Sequence, residues 1–452
     1  MSALELAERA LAVARAGDGG ALATVTSERS LMLRYARNRP TQSTAIDDLT
    51  VEIAVLRGGR VGKASTNATD DESLARCARE AEAAAEAMAR SAGGDGYPGF
   101  PAPQPVPECD TFDEATAALD AGRGGAALAE AFEVAARNGV EAHGTWTVGD
   151  VETAIASSTG VAVSERSTDA FMKVVCITPD GRSGYATTAD RSASAIQPAE
   201  LAERSAAKAT ASGEPVALEP GEYPVVLEPA AIGELLAMLS WQTFSGLPYV
   251  EDRSAFSGRL GETVASPAIN LSDSPRFPRT FQRGFDAEGV PKLPLPLIQD
   301  GVAKNVVHDT VTGARAGVPS TGHATAPGGS TFGPIASNLV LLGGGERDAA
   351  ELCRPIERGI YITRLWYVNT VRPKETLLTG VTRDGTFLIE DGEVTRPLVE
   401  MRFTDSALGL LERTQALTST PVLTSDGEFY GRRFASGVVC PALRVSSMRF
   451  TG

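Results

Sequence analysis

The 452-residue sequence predicts an α+β protein built in two parts. Residues 1–215 read as an N-terminal domain of mixed helices and hairpins. Residues 216–452 read as a β-rich, mostly antiparallel domain, barrel- or sandwich-like. Three observations predict this. Amphipathic helical stretches recur between strand–turn–strand patterns before residue 215. Beyond it, one apolar helix is followed by short strand-like runs between turns. The 46 glycines and 27 prolines call for many tight turns, which a helical bundle does not need.

In chain order, Leu4, Ala7, Leu11 and Ala14 recur at helical spacing, with Gly17 as the stop. Residues 29–40 and 47–66 read as strands, the second carrying an Arg-Gly-Gly-Arg hairpin turn at 57–60. A helix is expected over 70–94, with acidic residues in its first turn and a Gly stop. Its Arg79, Glu82 and Glu86 are expected on a solvated face. Residues 92–110 form a Pro/Gly-rich loop that either serves function or merely connects. The Ala-rich stretch 111–138 predicts a helix interrupted near Gly122–Gly125. Strands and turns follow over 144–187, then a helix over 197–213. Residues 213–224 are the best linker, placing the boundary near 215–223. A helix is predicted from Pro229 to about Thr243, with Glu228 as its cap or as an active-site carboxylate.

Charge and cysteine usage exclude several classes. A net charge of −15 argues against direct nucleic-acid binding, which needs a basic face to neutralise phosphates. The five cysteines are scattered and form no Cys-x-x-Cys pair, so reduced thiols are expected rather than a disulfide framework. The N-terminal stretch mixes Glu and Arg through its apolar stripe, unlike a signal peptide. No run approaches the length of a membrane span. A cytoplasmic protein is expected.

The most informative segment is 225–273. There Gly233-Glu234-Leu235-Leu236 lies on the apolar helix, with Ser254-Ala255-Phe256 and Val264-Ala265-Ser266 downstream. This resembles the core of the TldD/PmbA family, the modulators of DNA gyrase. Further collinear matches strengthen the resemblance. They are Asn305, Asp309, Ala314 and Ser320-Thr321-Gly322, then Pro334 and Asn338. After these come Gly359, Tyr361, Asn369, Thr379-Gly380, Asp384-Gly385 and Gly392, and the closing stretch 438–452. The resemblance covers nearly all of 222–452 and is weaker before it.

In active members of that family the helix carries His-Glu-x-x-x-His, and a later Cys-Gly-x-Asp-Gly segment adds a thiolate. Here the three helix positions are Ala237, Met238 and Gln242, and Leu423 stands where the cysteine should be. Zinc needs imidazole, thiolate or carboxylate donors, and its water needs a base. The resemblance therefore implies a TldE/PmbA-like member with no catalytic, cofactor-binding or metal residue of its own. It also implies a TldD-like homologue as partner, which would carry a zinc-like divalent metal. The pair would process unfolded peptides.

Two other readings stay open. One is a catalytically silent homodimer that binds peptides or regulates. The other is a rebuilt site around His308, His323 and a carboxylate. His143 reads as a turn residue, and Ser254 and Ser320 have no evident base, so turn roles are expected. Gly328-Gly329 and Gly343-Gly344-Gly345 lack a P-loop lysine. Trp366 and Tyr367 either line a peptide groove or divide between core and surface.

Overall fold

The computed structural model describes residues 1–14, 19–91, 96–425, 427 and 432–452. The N-terminal part contains α1 (Ala3–Val13), β1 (Ala21–Ala36), β2 (Arg39–Arg57), β3 (Arg60–Thr66) and α2 (Asp71–Ser91). It continues with α3 (Glu114–Ala117), α4 (Ala121–Arg137), β4 (Glu141–Ser157), β5 (Ala162–Ile177), β6 (Ser183–Asp190) and α5 (Pro198–Ala209). The six strands form one antiparallel sheet in the order β3-β2-β1-β4-β5-β6. The expected Gly17 stop lies outside the described residues. Ser2 instead starts α1 with a capping box to Glu5.

Strand β1 begins eight residues earlier than its polarity suggested. Its first residues are small and apolar because they lie beneath α1 and α2, alongside Val25, Ile53 and Ala154. The β1–β2 turn places Arg37 and Asn38 at φ 55° each, the twist a two-residue hairpin requires. The predicted break at Gly122–Gly125 does not occur. The chain breaks instead at 118–120, where the Asp120 carboxylate accepts from Arg123 N–H and starts α4. Glycine is tolerated inside α4 because the Trp146 ring packs against Gly124. Glu82 is not merely solvated; it pairs with Arg57 of β2 at 2.7 Å.

One sheet face is roofed by helices. Leu128, Ala131 and Trp146 pack under α4 and α5, and Leu6, Leu74 and Ala81 under α1 and α2. The other face meets the second half of the chain.

That half runs β7 (Gly221–Leu227), α6 (Pro229–Gln242), α7 (Gly246–Val250), β8 (Leu271–Asp273), β9 (Leu295–Gln299), β10 (Val302–Ala303), α8 (Thr310–Ala316), β11 (Asn338–Leu341) and α9 (Ala349–Cys353). It then runs β12 (Arg358–Arg372), β13 (Leu377–Glu390), β14 (Glu393–Pro397), β15 (Arg402–Ser406), α10 (Ala407–Glu412), β16 (Thr414–Leu417), β17 (Val422–Thr424), β18 (Gly437–Cys440) and β19 (Leu443–Phe450). One sheet is ordered β10-β9-β8-β11-β18-β17. The other is ordered β12-β7-β19-β15-β13-β14, and its pairing returns from β13 to β12. Strand pairs are mostly antiparallel; β11–β18 and β7–β12 are parallel. Between the sheets, α6 buries Ile232, Leu235, Leu236 and Leu239 in the largest core of the molecule. The domain is β-rich as expected, with short helices α7–α10 the sequence pattern did not show. Among the described residues no helix is long and apolar enough to cross a membrane.

The two halves meet through buried charges. Arg433 donates to both oxygens of Asp169 (2.8 and 2.6 Å) and to Thr147, while its backbone N–H reaches Glu28. Glycine at 149 makes this possible, since a Cβ there would lie 2.0 Å from Arg433 Nε. Replacing Arg433 with Ala leaves Asp169 buried and unpaired. We expect a loss of about 3–5 kcal/mol in urea denaturation, and a smaller loss when Asp169→Leu accompanies Arg433→Met.

Candidate functional site

Helix α6 starts at a Pro in its first turn, a position where a missing N–H costs nothing. Its Glu228 does not cap it. The carboxylate instead pairs with Lys208 of α5 at 2.7 Å and accepts from the Tyr361 hydroxyl at 2.7 Å. Both partners are largely buried, and burial disfavours an unpaired charge more than an uncapped helix end. Burial also pushes the Lys208 ammonium below its usual range, which the neighbouring Glu228 opposes.

The buried face of α6 carries Gly233, Leu235, Leu236 and Leu239. Ala237 and Trp241 lie on the exposed face, with Met238 half-buried beside them. Gln242 is buried, and its amide donates to the Thr370 hydroxyl of β12. Leu423 of β17 packs among Phe171, Ala189, Phe281 and Ala435. Asp426, in the same segment, lies outside the described residues. None of these four side chains fits a zinc ion: a methyl group, a thioether, an already engaged amide and an isobutyl group replace the donors.

The sulfur near the helix does not fill the gap. Cys440 is fully buried and its thiol donates to Pro229 O at 3.3 Å. Burial pushes that thiol up to about 12, so it stays protonated rather than becoming a ligand.

The histidines do not assemble a substitute. His308 Nδ1 lies 3.2 Å from the Thr312 hydroxyl, and His323 Nδ1 lies 2.9 Å from that of Thr321. His323 Nε2 is 3.1 Å from Asp273, which also faces the Lys292 ammonium at 3.3 Å and accepts from the Asn338 N–H at 2.9 Å. A built-in cation thus balances this carboxylate, and Asp273 stays ionised well below the usual carboxylate range. That balance outweighs burial, which by itself pushes the other way. Among the described residues no three His, Cys, Asp or Glu side chains gather as a metal would need. The rebuilt centre around His308 and His323 is therefore not formed.

The candidate serines make turns. Ser254 donates to Thr243 O and accepts from Phe256 N–H, and Ser320 donates to His308 O. His143 lies 3.7 Å from Glu141. Trp366 and Tyr367 do not divide between core and surface: both face out, 40% and 76% exposed. Tyr367 sits at φ 53° on a bulge of β12, and Trp366 lies against the guanidiniums of Arg364 and Arg383. The described part of the Pro-rich loop runs along the domain seam. Its Tyr97 is buried on Glu288, and Asp110 N–H donates to Gln282.

Sequence reasoning missed Asp273, Asp286, Glu288 and Lys292, which lie within one loop-rich stretch and carry no motif. Asp286 accepts from the N–H groups of Glu288, Val290 and Ala324. Glu288 accepts from Tyr97 and from the N–H groups of Thr310 and Gly328.

Family profiles described as PmbA/TldA metallopeptidase domain 1, central domain and C-terminal domain match residues 23–85, 107–212 and 220–452. A "Metalloprotease TldD homolog" of Haemophilus influenzae is 25% identical over 244 residues, 52% of this chain and 50% of that protein. A "Zinc metalloprotease TldD homolog" of Saccharolobus solfataricus is 26% identical over 206 residues, 44% of each chain. The chain thus spans about half the length of the curated relatives it matches, or less. The crystal structure of TldE from Thermococcus kodakarensis superposes with a TM-score of 0.86 at 20% identity over the whole of both chains. A Thermotoga maritima structure described as a modulator of a DNA gyrase gives 0.83 at 22% identity, over 99% of each. At such identities these structures show the fold alone.

Two measurements follow. Burial, with Glu288 nearby, pushes the Asp286 carboxyl up to about 7. The folded state then keeps a proton that the unfolded chain releases from about pH 4 upward, so this residue's contribution to stability falls as pH rises from about 4 to 7. Urea midpoints of Asp286→Ala should be lower throughout, since three N–H groups lose their acceptor, yet should fall less across that window than those of the unaltered chain. At Gly233, a Cβ would lie 2.1 Å from Thr424 Oγ1. Gly233→Ala should lower thermal stability by about 1–3 kcal/mol, and Thr424→Ala should recover part of it.

Proposed function

Because the chain belongs to the PmbA/TldD metallopeptidase family, we propose that it is the non-catalytic, TldE/PmbA-like subunit of a two-subunit peptidase. The observation that carries this reading is that the three positions of α6 matching the family's His-Glu-x-x-x-His hold Ala237, Met238 and Gln242. The helix keeps the scaffold residues the family requires and loses all the metal-binding ones. Ala237 lies exposed where a histidine would stand, and Met238 lies half-buried beside it.

In this reading a TldD-like homologue supplies the metal and the chemistry. This chain contributes walls and contact surface. Trp241, 40% exposed on the same helix, and the outward Trp366 and Tyr367 are large apolar groups that a partner or an extended peptide would cover. Pairing of an extended peptide with an exposed strand would select unfolded substrates by backbone alone. The five cysteines, none in a disulfide, suit a reducing cytoplasm.

The test is native mass spectrometry with metal analysis on the chain purified alone and after co-expression with a TldD-like homologue from its source. Alone, it should hold less than about 0.1 equivalent of zinc and cleave no unfolded peptide; together, the two should form a complex with activity. Stoichiometric zinc on the isolated chain would overturn the proposal. A stable self-paired species indifferent to the homologue would favour a silent peptide-binding homodimer. Restoring the helix residues by Ala237→His, Met238→Glu and Gln242→His should not create activity, because Leu423 still offers no thiolate.

A further inference from the structure

A concave site of about 420 Å³ lies on the outer face of the C-terminal sheet, away from α6. Four polar side chains from three strands converge on it: Arg358 of β12, Arg444 and Ser446 of β19, and Gln415 of β16. The strand register places Arg444 on this face. Arg444 pairs across with Val226 of β7 and with Ala416 of β16, so these side chains share one face. Further along that face Val226 is buried with Leu352, Cys353 and Ile356, beside α9. Where α9 ends, the face opens and the arginines emerge. Pro355 and Ile356 form an apolar wall.

The chain carries a net charge of −15, and several of its arginines have carboxylate partners, as Arg433 has Asp169 and Arg364 has Asp384. Among the described residues, neither Arg358 nor Arg444 forms an ion pair. Arg444 Nε instead donates to the neutral Gln415 Oε1 at 3.2 Å, which leaves the Gln415 amide N–H groups as donors. Glu357 also lines the site and forms an ion pair with neither. Two guanidiniums, an amide and a hydroxyl thus line one concavity whose single acidic group is Glu357. Guanidinium forks match planar carboxylates in pairs of hydrogen bonds.

We propose that this site binds the free α-carboxylate of a short peptide, with Arg358 and Arg444 on the carboxylate and the Pro355–Ile356 wall against the terminal side chain. The apolar wall favours an organic carboxylate over a bare inorganic anion, and the volume lies within the range of small-molecule sites. The assignment rests on the peptidase reading for the source of such peptides. Binding itself requires neither metal nor partner, so it is tested on this chain alone.

The experiment is isothermal titration of the full chain with acetyl-Leu-Leu as the free acid, with its C-terminal amide, and with inorganic phosphate. The acid should bind at least about tenfold more tightly than the amide, and Arg358→Gln and Arg444→Gln should each weaken it by about tenfold, as expected for loss of a charged hydrogen-bond donor. Pro355→Ala should leave the phosphate response unchanged and weaken the acid. Both arginines are solvent-accessible, so circular dichroism of the variants should match the unaltered chain. Equal affinity for acid and amide would overturn the proposal, as would unchanged binding in both variants. Phosphate binding as tightly as the peptide acid would also overturn it, leaving a general oxyanion site. None of these results depends on whether the chain pairs with a metal-bearing homologue.

Discussion

The buried pairing of Arg433 with Asp169 is the constraint on which the arrangement of the two halves depends. A guanidinium and a carboxylate, each nearly solvent-free, are separated by 264 residues of chain and meet across the seam. Ions taken out of water are tolerated only when paired with good geometry, so this contact admits one docking of the loop around 433 against the sheet. Glycine at 149 supplies the space, the Thr147 hydroxyl accepts from the guanidinium, and Glu28 accepts from the Arg433 backbone N–H. Lys208 with Glu228, and Arg364 and Ser183 with Asp384, repeat the device along the same seam. The seam is thereby specific in register, not simply adhesive.

Packing also explains why α6 keeps the family's scaffold where the motif's metal-binding residues are replaced. The residues of α6 that match the family scaffold are packing residues: Gly233 lies against Thr424, and Leu235, Leu236 and Leu239 fill the core between two sheets. Of the positions that would hold catalytic groups, Ala237 is exposed and Met238 half-buried. Gln242 is the instructive exception. It is buried, and its amide must be satisfied, which the Thr370 hydroxyl does. Donor loss and scaffold retention are separable at Ala237, which faces solvent, whereas Met238 packs partly against the core and Gln242 is buried.

The charge cluster around Asp273 shows a second solution to the same problem. A carboxylate with a histidine 3.1 Å away resembles half of a metal site, but the Lys292 ammonium already provides the cation. Nearby, Asp286 spends its oxygens on three backbone N–H groups, stapling a turn rather than poising for chemistry.

The sequence by itself determined a good deal of this protein. Local helix signals placed α1, α2, α5 and α6, the paired glycines at 58 and 59 placed one hairpin, and residues 237, 238, 242 and 423 raised the expectation that the family's metal donors are replaced. These are local properties, readable because side-chain spacing and donor chemistry do not depend on distant residues. Helix breaks and caps were read less well: Asp120 starts α4 where glycines suggested a gap, and Glu228 turns away from the helix it precedes. In both, the outcome depended on a partner the local sequence does not contain, the Trp146 ring and the Lys208 ammonium. Only the tertiary structure decided that β13 returns to β12, that Arg433 spans the seam, and that Arg358 and Arg444 line one concavity. Contacts between residues tens to hundreds of positions apart leave no periodic trace, because their energy comes from excluding water around groups that only the folded chain brings together.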